Sequence, residues 1–375
     1  MHTILIDTAP VAGAPWQQAL AATSMPRLSR CLRLAEVSLQ EALHEDAEAA
    51  WLSPAERWLL AALGQPGAVL DPAPDAATAP NAAPNVEHAP AQAAAPSHAA
   101  AVLSEQAPWG ALAALAAGQA LRGLPWGLAL PAHLELGRES LSLANPAALQ
   151  LTVDEAQALL DAVRPLLSDA GWHVDAGNPG RWLVAHSSLA EVVTADPARA
   201  IARNVAAWMP AGTPARPWRQ LLTEMQMVWQ YHPVNEARMR AGRPEANTLW
   251  LHGCGALPAG LRNPFVMQRQ AAQSATAWWP AAHAGLPKLP ASRHPHPLQV
   301  LQPQATRETD AEALGAAVAA LDQAAAGAID QALRDHAGAQ VVLAGDRRWI
   351  GFELHKARRW QFWRRADAHV LLGLV

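Results

Sequence analysis

Cysteine, tyrosine, phenylalanine and charge are all scarce in this chain. Its 375 residues include two cysteines, one tyrosine and three phenylalanines, and 16% of them are charged. Two cysteines as far apart as Cys31 and Cys254 do not form the framework of a disulfide-rich scaffold and fit a reducing compartment. The net charge of -4 argues against bulk binding to nucleic acid or to a membrane surface. These shortages argue against a disulfide-rich scaffold and against a bulk nucleic-acid or membrane binder, and they favour an ordinary globular protein.

Long apolar runs are missing as well. No uninterrupted apolar stretch approaches the roughly 20 residues of a membrane span, and the apolar run that opens the chain is broken by Asp7, too soon for a signal peptide. We therefore expect a cytoplasmic protein with no membrane partner. Apolar residues make up 51% of the chain, which is enough for a large core. Sixteen residues are tryptophan.

The composition changes sharply at residues 71–106, where Ala, Pro and Asn dominate. Such a segment cannot bury enough apolar surface to offset the entropy lost on ordering, so it predicts a flexible linker. On either side we expect three structured parts. Residues 1–70 form the N-terminal part of an α/β core, residues 107–210 form a small α+β subdomain, and residues 211–375 complete the core.

Local signals fix several helix starts. Ser53 with Glu56, and Thr152 with Glu155, have the spacing of capping boxes. The irregular composition of residues 256–304 predicts a largely structureless stretch, with His294 and His296 on an exposed loop rather than in a metal site, because no cysteine or acid lies near them.

The C-terminal third predicts a long helix followed by a hairpin. Thr309 is the expected cap of the helix, and two strands flank the turn at Gly345-Asp346. Basic residues alternate with aromatics over residues 347–365, which fits either a protein partner site or a half-buried strand with one solvated face.

Residues 231–255, YHPVNEARMRAGRPEANTLWLHGCG, concentrate the most specific chemistry. A helix should begin at Pro233, with Asn235 and Arg238 on one face because they are three residues apart. A strand over residues 248–252 should then run into a glycine turn, whose bare N–H groups favour anions. The predicted binding residues are His232, Asn235, Arg238, Asn247, His252, Gly253 and Gly255.

This segment resembles the signature of the archaeal-type, bisphosphoglycerate-independent phosphoglycerate mutases, and more closely that of their bacterial RpfE-type regulatory relatives. That family has a His-Pro-x-Asn helix, an arginine three residues on, a glycine, an Ala-Asn pair and a strand ending in Arg-Gly-x-Gly. Here His252 stands in place of the arginine before the glycines. The resemblance implies an alkaline-phosphatase-like α/β core with a small inserted α+β subdomain, and for the RpfE-type relatives a regulatory role.

The resemblance also implies a chemistry that needs metals. The mutases transfer phosphate through a serine or threonine nucleophile with two divalent metals, which require several Asp and His ligands. Asp7 ends the first predicted strand, where the superfamily has a metal-binding Asp-Gly turn, but Thr8 follows it, so we expect at most a vestigial ligand. The superfamily also has an Asp-His pair in its C-terminal third, and here Asp346 has no histidine beside it. We therefore expect no cofactor, and Mn or Mg only if the protein is an active enzyme.

Three functions are consistent with these patterns. The favoured one is a catalytically degenerate, phosphoglycerate mutase-like protein that binds a small phosphorylated or acidic metabolite in a regulatory role, because the recognition motif is kept and the metal ligands are not. The second is an active, metal-dependent phosphoglycerate mutase. The third is a non-catalytic interaction protein that uses its linker and its tail.

Overall fold

A computed structural model describes the chain in segments separated by gaps. The described residues are 1–33, 35–41, 50–64, 71–72, 106–137, 140–178, 180–210, 212–267, 278–307 and 309–356. The helices are α1 (Ala14–Thr23), α2 (Pro26–Leu32), α3 (Pro54–Ala62), α4 (Trp109–Ala116), α5 (Val153–Asp169), α6 (Pro197–Ala200), α7 (Arg216–Gln230), α8 (Pro233–Arg240), α9 (Trp278–Gly285) and α10 (Ala311–Asp335).

In the described segments the strands build one sheet of seven, one of four and one of two strands, so the fold is mixed α/β. They are β1 (His2–Asp7), β2 (Glu36–Gln40), β3 (Asp71–Pro72), β4 (Trp126–Ala132), β5 (Leu134–Leu136), β6 (Leu141–Leu143), β7 (His173–Asn178), β8 (Arg181–Ala185), β9 (Thr248–Gly255), β10 (Asn263–Met267), β11 (Ala291–Leu301), β12 (Gly338–Ala344) and β13 (Trp349–His355).

The seven-stranded sheet has the order β10-β11-β1-β12-β13-β2-β3. Its first four strands are parallel, and β13 returns antiparallel to β12. Every residue of β1 is buried, as expected for a central parallel strand covered on both faces. Because β1 and β12 run in the same direction, Asp7 and the turn after β12 lie at the same edge, which we call the carboxyl edge. In open α/β sheets this is the edge where ligands bind.

One face of this sheet is covered by α1, α2 and α10, which share a core with β1, β12 and β13. The two carboxylate oxygens of Asp322, buried in α10, accept hydrogen bonds from the backbone N–H groups of Arg27 and Leu28 at 3.2 and 2.7 Å. Those donors belong to the first turn of α2, whose own N-cap residue, Met25, supplies no side-chain bond. An acid from the last long helix thus satisfies the free N–H groups at the start of α2.

The four-stranded sheet has the order β7-β8-β4-β9, and all its pairs are antiparallel. Helices α5 and α7 pack on one face around a tryptophan-rich core, and α4 packs on β4 and β9. The boundary expected at residue 210 would separate β9 from β4, β7 and β8, although all four strands belong to this one sheet.

Helix α4 approaches the four-stranded sheet closely because glycines face each other at the crossing. A Cβ atom on Gly110 would lie 2.5 Å from the Cα of Gly127 in β4. A Cβ atom on Gly253 would lie 2.9 Å from the Cβ of Trp109. Backbone is therefore in contact with backbone at this crossing, and only glycine fits at Gly110.

Both predicted capping boxes are confirmed. Ser53 and Glu56 exchange side-chain and backbone hydrogen bonds, and so do Thr152 and Glu155. The predicted hairpin is also confirmed, since β12 and β13 pair across residues 345–348. Short-range hydrogen bonding determines these features, so a local pattern is sufficient to find them.

Four local expectations were wrong. Residues 256–304 contain β10, α9 and β11, and His294 and His296 lie in β11 rather than on a loop. The prolines of β11 are tolerated where it pairs with the edge strand β10, because fewer ladder N–H groups are needed there. The cap of α10 is Asp310, not Thr309. The glycines expected to form a turn after the 248–252 strand continue β9 as far as Gly255.

Two predicted segments lie largely outside the described residues. Of the linker expected at 71–106, the structure describes Asp71–Pro72, which pair with β2, and Gln106. Of the basic and aromatic stretch at 347–365, it describes residues 347–356, most of which form β13 between β12 and β2. Within the described ranges, no helix has the length and apolar character needed to cross a membrane.

The crossing of α4 over β4 generates a stability prediction. Gly110→Ala should lower the free energy of unfolding by about 1–3 kcal/mol or more, because the added methyl overlaps the backbone of Gly127. Gly327→Ala is the matched control, since its Cβ would meet nothing within 4 Å in α10. This control should stabilise the protein by roughly 0.5–1 kcal/mol through helix propensity. Urea unfolding of both variants checks this, and equal effects would contradict the close crossing.

Candidate functional site

The asparagines of the 231–255 segment hold backbone segments together. The side-chain amide of Asn235 donates to the carbonyls of Trp229 and Ala246, both at 2.9 Å, and its oxygen accepts from the Ala246 N–H at 3.0 Å. Asn247 makes the same kind of two-way contact with the N–H and carbonyl of Leu134, at 2.7 and 3.0 Å. His232 accepts from the N–H of Val234 at 3.3 Å and so caps α8.

Arg238 is fully buried, and each of its three nitrogens has an internal acceptor. Nε donates to the carbonyl of Pro244 at 2.8 Å and Nη1 to the carboxylate of Glu155 at 3.0 Å. Nη2 donates to the carbonyl of Leu149. The guanidinium thus joins α8 to the first turn of α5. This geometry favours a structural role for Arg238.

His252, Gly253 and Gly255 lie in β9, where every residue is buried. Burial lowers the pKa of His252 to about 3, so its imidazole is neutral. Both ring nitrogens lack a hydrogen-bond partner among the described residues, and Nδ1 lies 3.8 Å from Oδ2 of Asp196. Gly253 faces Trp109 of α4 rather than solvent. The structure therefore does not expose these peptide groups, and the binding role expected for the seven residues stays a prediction.

The contacts of Arg238 can be tested against a neighbour that shares the same acid. Arg238→Gln should destabilise the fold by about 2–3 kcal/mol, because buried acceptors lose a charged donor. Arg243→Gln should cost about 0–1 kcal/mol, because Arg243 bonds the other oxygen of Glu155 from a side chain that is 47% exposed. Chemical denaturation measures both values. Similar losses would show that the guanidinium of Arg238 has no structural role.

A second cluster, which we call the Asp346 cluster, lies at the carboxyl edge of the seven-stranded sheet. The buried carboxylate of Asp346 accepts hydrogen bonds from Nη1 of Arg199, from Nη2 of Arg203 at 2.6 Å and from Nη2 of Arg307 at 3.4 Å. Arg199 lies in α6, Arg203 lies shortly after it, and Arg307 follows β11. Three guanidiniums from two distant parts of the chain thus meet on one acid.

Two of these arginines also hold the loops around the edge. Arg307 donates to the carbonyls of Ala9 and Ala12, at 2.9 and 2.7 Å, in the loop that follows β1. Arg199 donates to the carbonyl of Ala50 at 2.9 Å. The side chains of Arg199 and Arg307 are 1% and 8% exposed, whereas that of Arg203 is 26% exposed. Arg203 therefore connects the cluster with solvent.

The Asp346 cluster carries more positive than negative charge. Three guanidiniums face one carboxylate, and like charges that are buried together disfavour one another. Burial, together with the charge of Arg203, lowers the pKa of Arg307 to about 9, although Asp346 opposes the change. Among the hydrogen-bonded members of the cluster, positive charge exceeds negative charge, and the neighbouring acids Asp196 and Glu56 also favour the charged forms of Arg307 and Arg199.

Asp7 is buried at the same edge. One carboxylate oxygen accepts from Nε2 of Gln302 at 2.8 Å, and the other accepts from the N–H of Ala9 at 3.1 Å. Burial raises the pKa of Asp7 to about 7 in spite of these bonds, and the charge of Glu56 adds to the effect.

Glu56 and Asp196 are two further buried acids. Glu56 accepts from Nε1 of Trp109 at 2.7 Å, and Asp196 accepts from the N–H of Trp278 at 2.8 Å. Burial raises the pKa of both carboxyls, and the charge of Glu56 raises that of Asp196 further. The donors that hold these acids belong to α4 and α9, so the acids link both helices to the core.

The residues at this edge do not fit the two-metal centre of the phosphoglycerate mutases. Within the described part of the chain, no three His, Cys, Asp or Glu side chains are grouped so as to hold a metal ion. Both oxygens of Asp7 accept from protein donors, and Asp346 faces three guanidiniums. A divalent cation placed beside Asp346 would be repelled by those arginines.

The sequence patterns drew attention to Asp7 and Asp346 but missed the three arginines. Arg199 and Arg203 are four residues apart just after Asp196-Pro197, a pair typical of a helix start, but such charges are usually solvated and the signal is weak. Arg307 has no local signal, since only the tertiary fold brings it to residues 9–12.

The raised pKa of Asp7 predicts a pH dependence of stability. Between its ordinary value of 3.8 and about 7, the folded state keeps a proton that the unfolded state has lost. Stability therefore falls as pH rises through this window and changes no further above it. Asp7→Asn removes the ionisation. The free energy of unfolding of the variant should therefore exceed that of the wild type by roughly 1–4 kcal/mol at pH 8 and by much less at pH 5. Urea unfolding at both pH values checks this, and a difference that does not vary with pH would contradict it.

No family model and no curated protein matches the chain. The solved structures similar to it include the following two. One is the PH0037 protein from Pyrococcus horikoshii, with 13% identity, a TM-score of 0.47, and coverage of 99% of this chain and 92% of that one. The other is the cofactor-independent phosphoglycerate mutase from Thermoplasma acidophilum DSM 1728, with 15% identity, a TM-score of 0.38, and coverage of 100% and 95%. Likeness at this level carries no conclusion about the site or its chemistry.

Proposed function

We propose that this protein binds a small phosphorylated or acidic metabolite at the carboxyl edge of the seven-stranded sheet, and that it does so without catalysis. The observation that carries the proposal is the Asp346 cluster, in which three guanidiniums face one carboxylate. Arginine is the side chain best suited to phosphate and carboxylate, because its planar fork donates two parallel hydrogen bonds.

The position of the cluster supports an anion site. It lies in the turn that follows β12, beside the end of β1, and this edge is where α/β sheets bind ligands. Nε of Arg348, in the same turn, is buried and has no hydrogen-bond partner within the described residues. A bound anion would accept from such a donor and would balance the excess positive charge.

The class of ligand is inferred from the 231–255 segment. Its resemblance to the phosphoglycerate mutases and to their RpfE-type regulatory relatives favours a phosphorylated three-carbon acid and a regulatory role. The absence of catalysis is inferred from the residues at the carboxyl edge. Asp7 and Asp346 are the two acids closest to the family pattern, and arginines lie around both of them. An ancestral metal centre replaced by guanidiniums would keep its attraction for phosphate and lose its Lewis acid.

Calorimetric titration with 3-phosphoglycerate tests the proposal. Arg203→Gln should weaken binding about tenfold or more, because the ligand loses a charged donor worth roughly 1.5–3 kcal/mol. Arg164→Gln is the matched control, since Arg164 is an exposed, ion-paired arginine on α5 and should bind as the wild type does. Arg238→Gln tests the 231–255 assignment in the same experiment. If Arg238→Gln abolishes binding in a folded protein while Arg203→Gln does not, the site lies in the 231–255 segment and this proposal is wrong.

A coupled mutase assay with manganese separates the binding protein from an active enzyme. We expect no turnover above that of Asp7→Ala in the same assay. Manganese-dependent turnover that Asp7→Ala abolishes would establish the enzyme instead. The interaction hypothesis predicts a third outcome, in which neither binding nor turnover is seen and removal of residues 357–375 abolishes capture of a protein partner.

A further inference from the structure

A cavity of about 770 Å³ lies between α2, α10 and the end of β13. It is far from the Asp346 cluster, because β13 runs antiparallel to β12 and its last residues pair with the start of β12. Seven residues of strand separate the two ends, which is roughly 20 Å. The volume is within the range of about 300–1,000 Å³ that small-molecule sites occupy.

The cavity has an apolar wall. Its accessible apolar surface comes from Pro26 and Cys31 of α2 and from Leu333 of α10, which is 7% exposed. Ile329 and Leu354 lie beneath this wall, fully buried in the core. Gly327 also lines it, and a Cβ atom at that position would meet nothing within 4 Å. The missing side chain therefore leaves a recess in the surface of α10, open to a ligand with an apolar body.

The rim of the cavity is mainly cationic. Arg27 and Arg30 of α2 are exposed and line the cavity, and Asp330 of α10 is the acid that lines it. Neither arginine pairs with a carboxylate within the segments that the structure describes. Two guanidiniums against one acid give a local excess of positive charge, which attracts organic anions.

The walls of the cavity are held in place before any ligand arrives. Both carboxylate oxygens of Asp322 bond the first N–H groups of α2, at 3.2 and 2.7 Å. These bonds fix the spacing between α2 and α10, so the two arginines and the apolar wall keep their separation. A preformed site avoids the cost of ordering its walls on binding.

We propose that this cavity binds an organic anion with an apolar body, the acid group lying against Arg27 and Arg30 and the body against Pro26, Cys31 and Leu333. The carboxylate or sulfonate would accept hydrogen bonds from the guanidiniums, and the body would fill the recess at Gly327. This site is separate from the carboxyl edge and does not depend on the metabolite proposed to bind there.

Fluorescence titration of the full chain with 8-anilinonaphthalene-1-sulfonate, followed by displacement with octanoate, tests the site. We expect saturable binding of one dye molecule, about tenfold weaker in the double variant Arg27→Gln/Arg30→Gln and abolished in Gly327→Leu, where the leucine fills the recess. Ala324→Leu is the matched control, because Ala324 is exposed on the same helix and does not line the cavity. Thermal unfolding of each variant shows that a loss of binding is not a loss of fold.

Two further measurements test the charge of the ligand and the location of the dye. Octylammonium, which has the same chain and the opposite charge, should fail to displace the dye, and Arg203→Gln should bind the dye as the wild type does. Wild-type binding by Gly327→Leu, or equal displacement by octanoate and octylammonium, would overturn the proposal. Loss of dye binding in Arg203→Gln would place the dye at the carboxyl edge and would overturn it as well.

Discussion

The buried contact between Asp346 and its three arginines is the interaction on which the carboxyl edge depends. A carboxylate on a side chain that is 6% exposed is stable only while charged donors surround it. Arg199 brings α6 and residue 50 to the turn after β12, and Arg307 brings the loop after β1 to the same place. The ion cluster therefore determines how these loops are arranged around the carboxyl edge.

The region between the two larger sheets combines close packing with buried acids. Gly110 and Gly127 let α4 lie directly on β4, and this brings the indole of Trp109 within 2.7 Å of Glu56. Asp196 receives a backbone N–H from the start of α9. Burial raises the pKa of both carboxyls, and the hydrogen bonds from α4 and α9 satisfy them inside the tryptophan-rich core between the sheets.

The sequence predicted the local features of this fold better than its long-range ones. The Ser53 and Thr152 capping boxes and the β12–β13 hairpin depend on residues only a few positions apart, so pattern alone finds them. β11 was missed because its prolines conceal a strand whose partners, β10 and β1, are defined only by the sheet. For the site, the pattern pointed to Arg238, whose bonds are internal, and passed over Arg307. Two partners of Arg307, the carbonyls of Ala9 and Ala12, lie about three hundred residues away in the chain.

The position of β1 constrains the order of assembly. This first strand lies between β11 and β12, so its hydrogen-bonding neighbours are synthesised roughly three hundred residues later. The four-stranded sheet, by contrast, draws all its strands from residues 126–255 and can form while the rest of the chain is still being made. Because distant contacts cost more loop entropy before they stabilise anything, the larger sheet should close last. During synthesis β1 is an apolar segment without its partners, which makes it the place where the nascent chain is most exposed to mispairing.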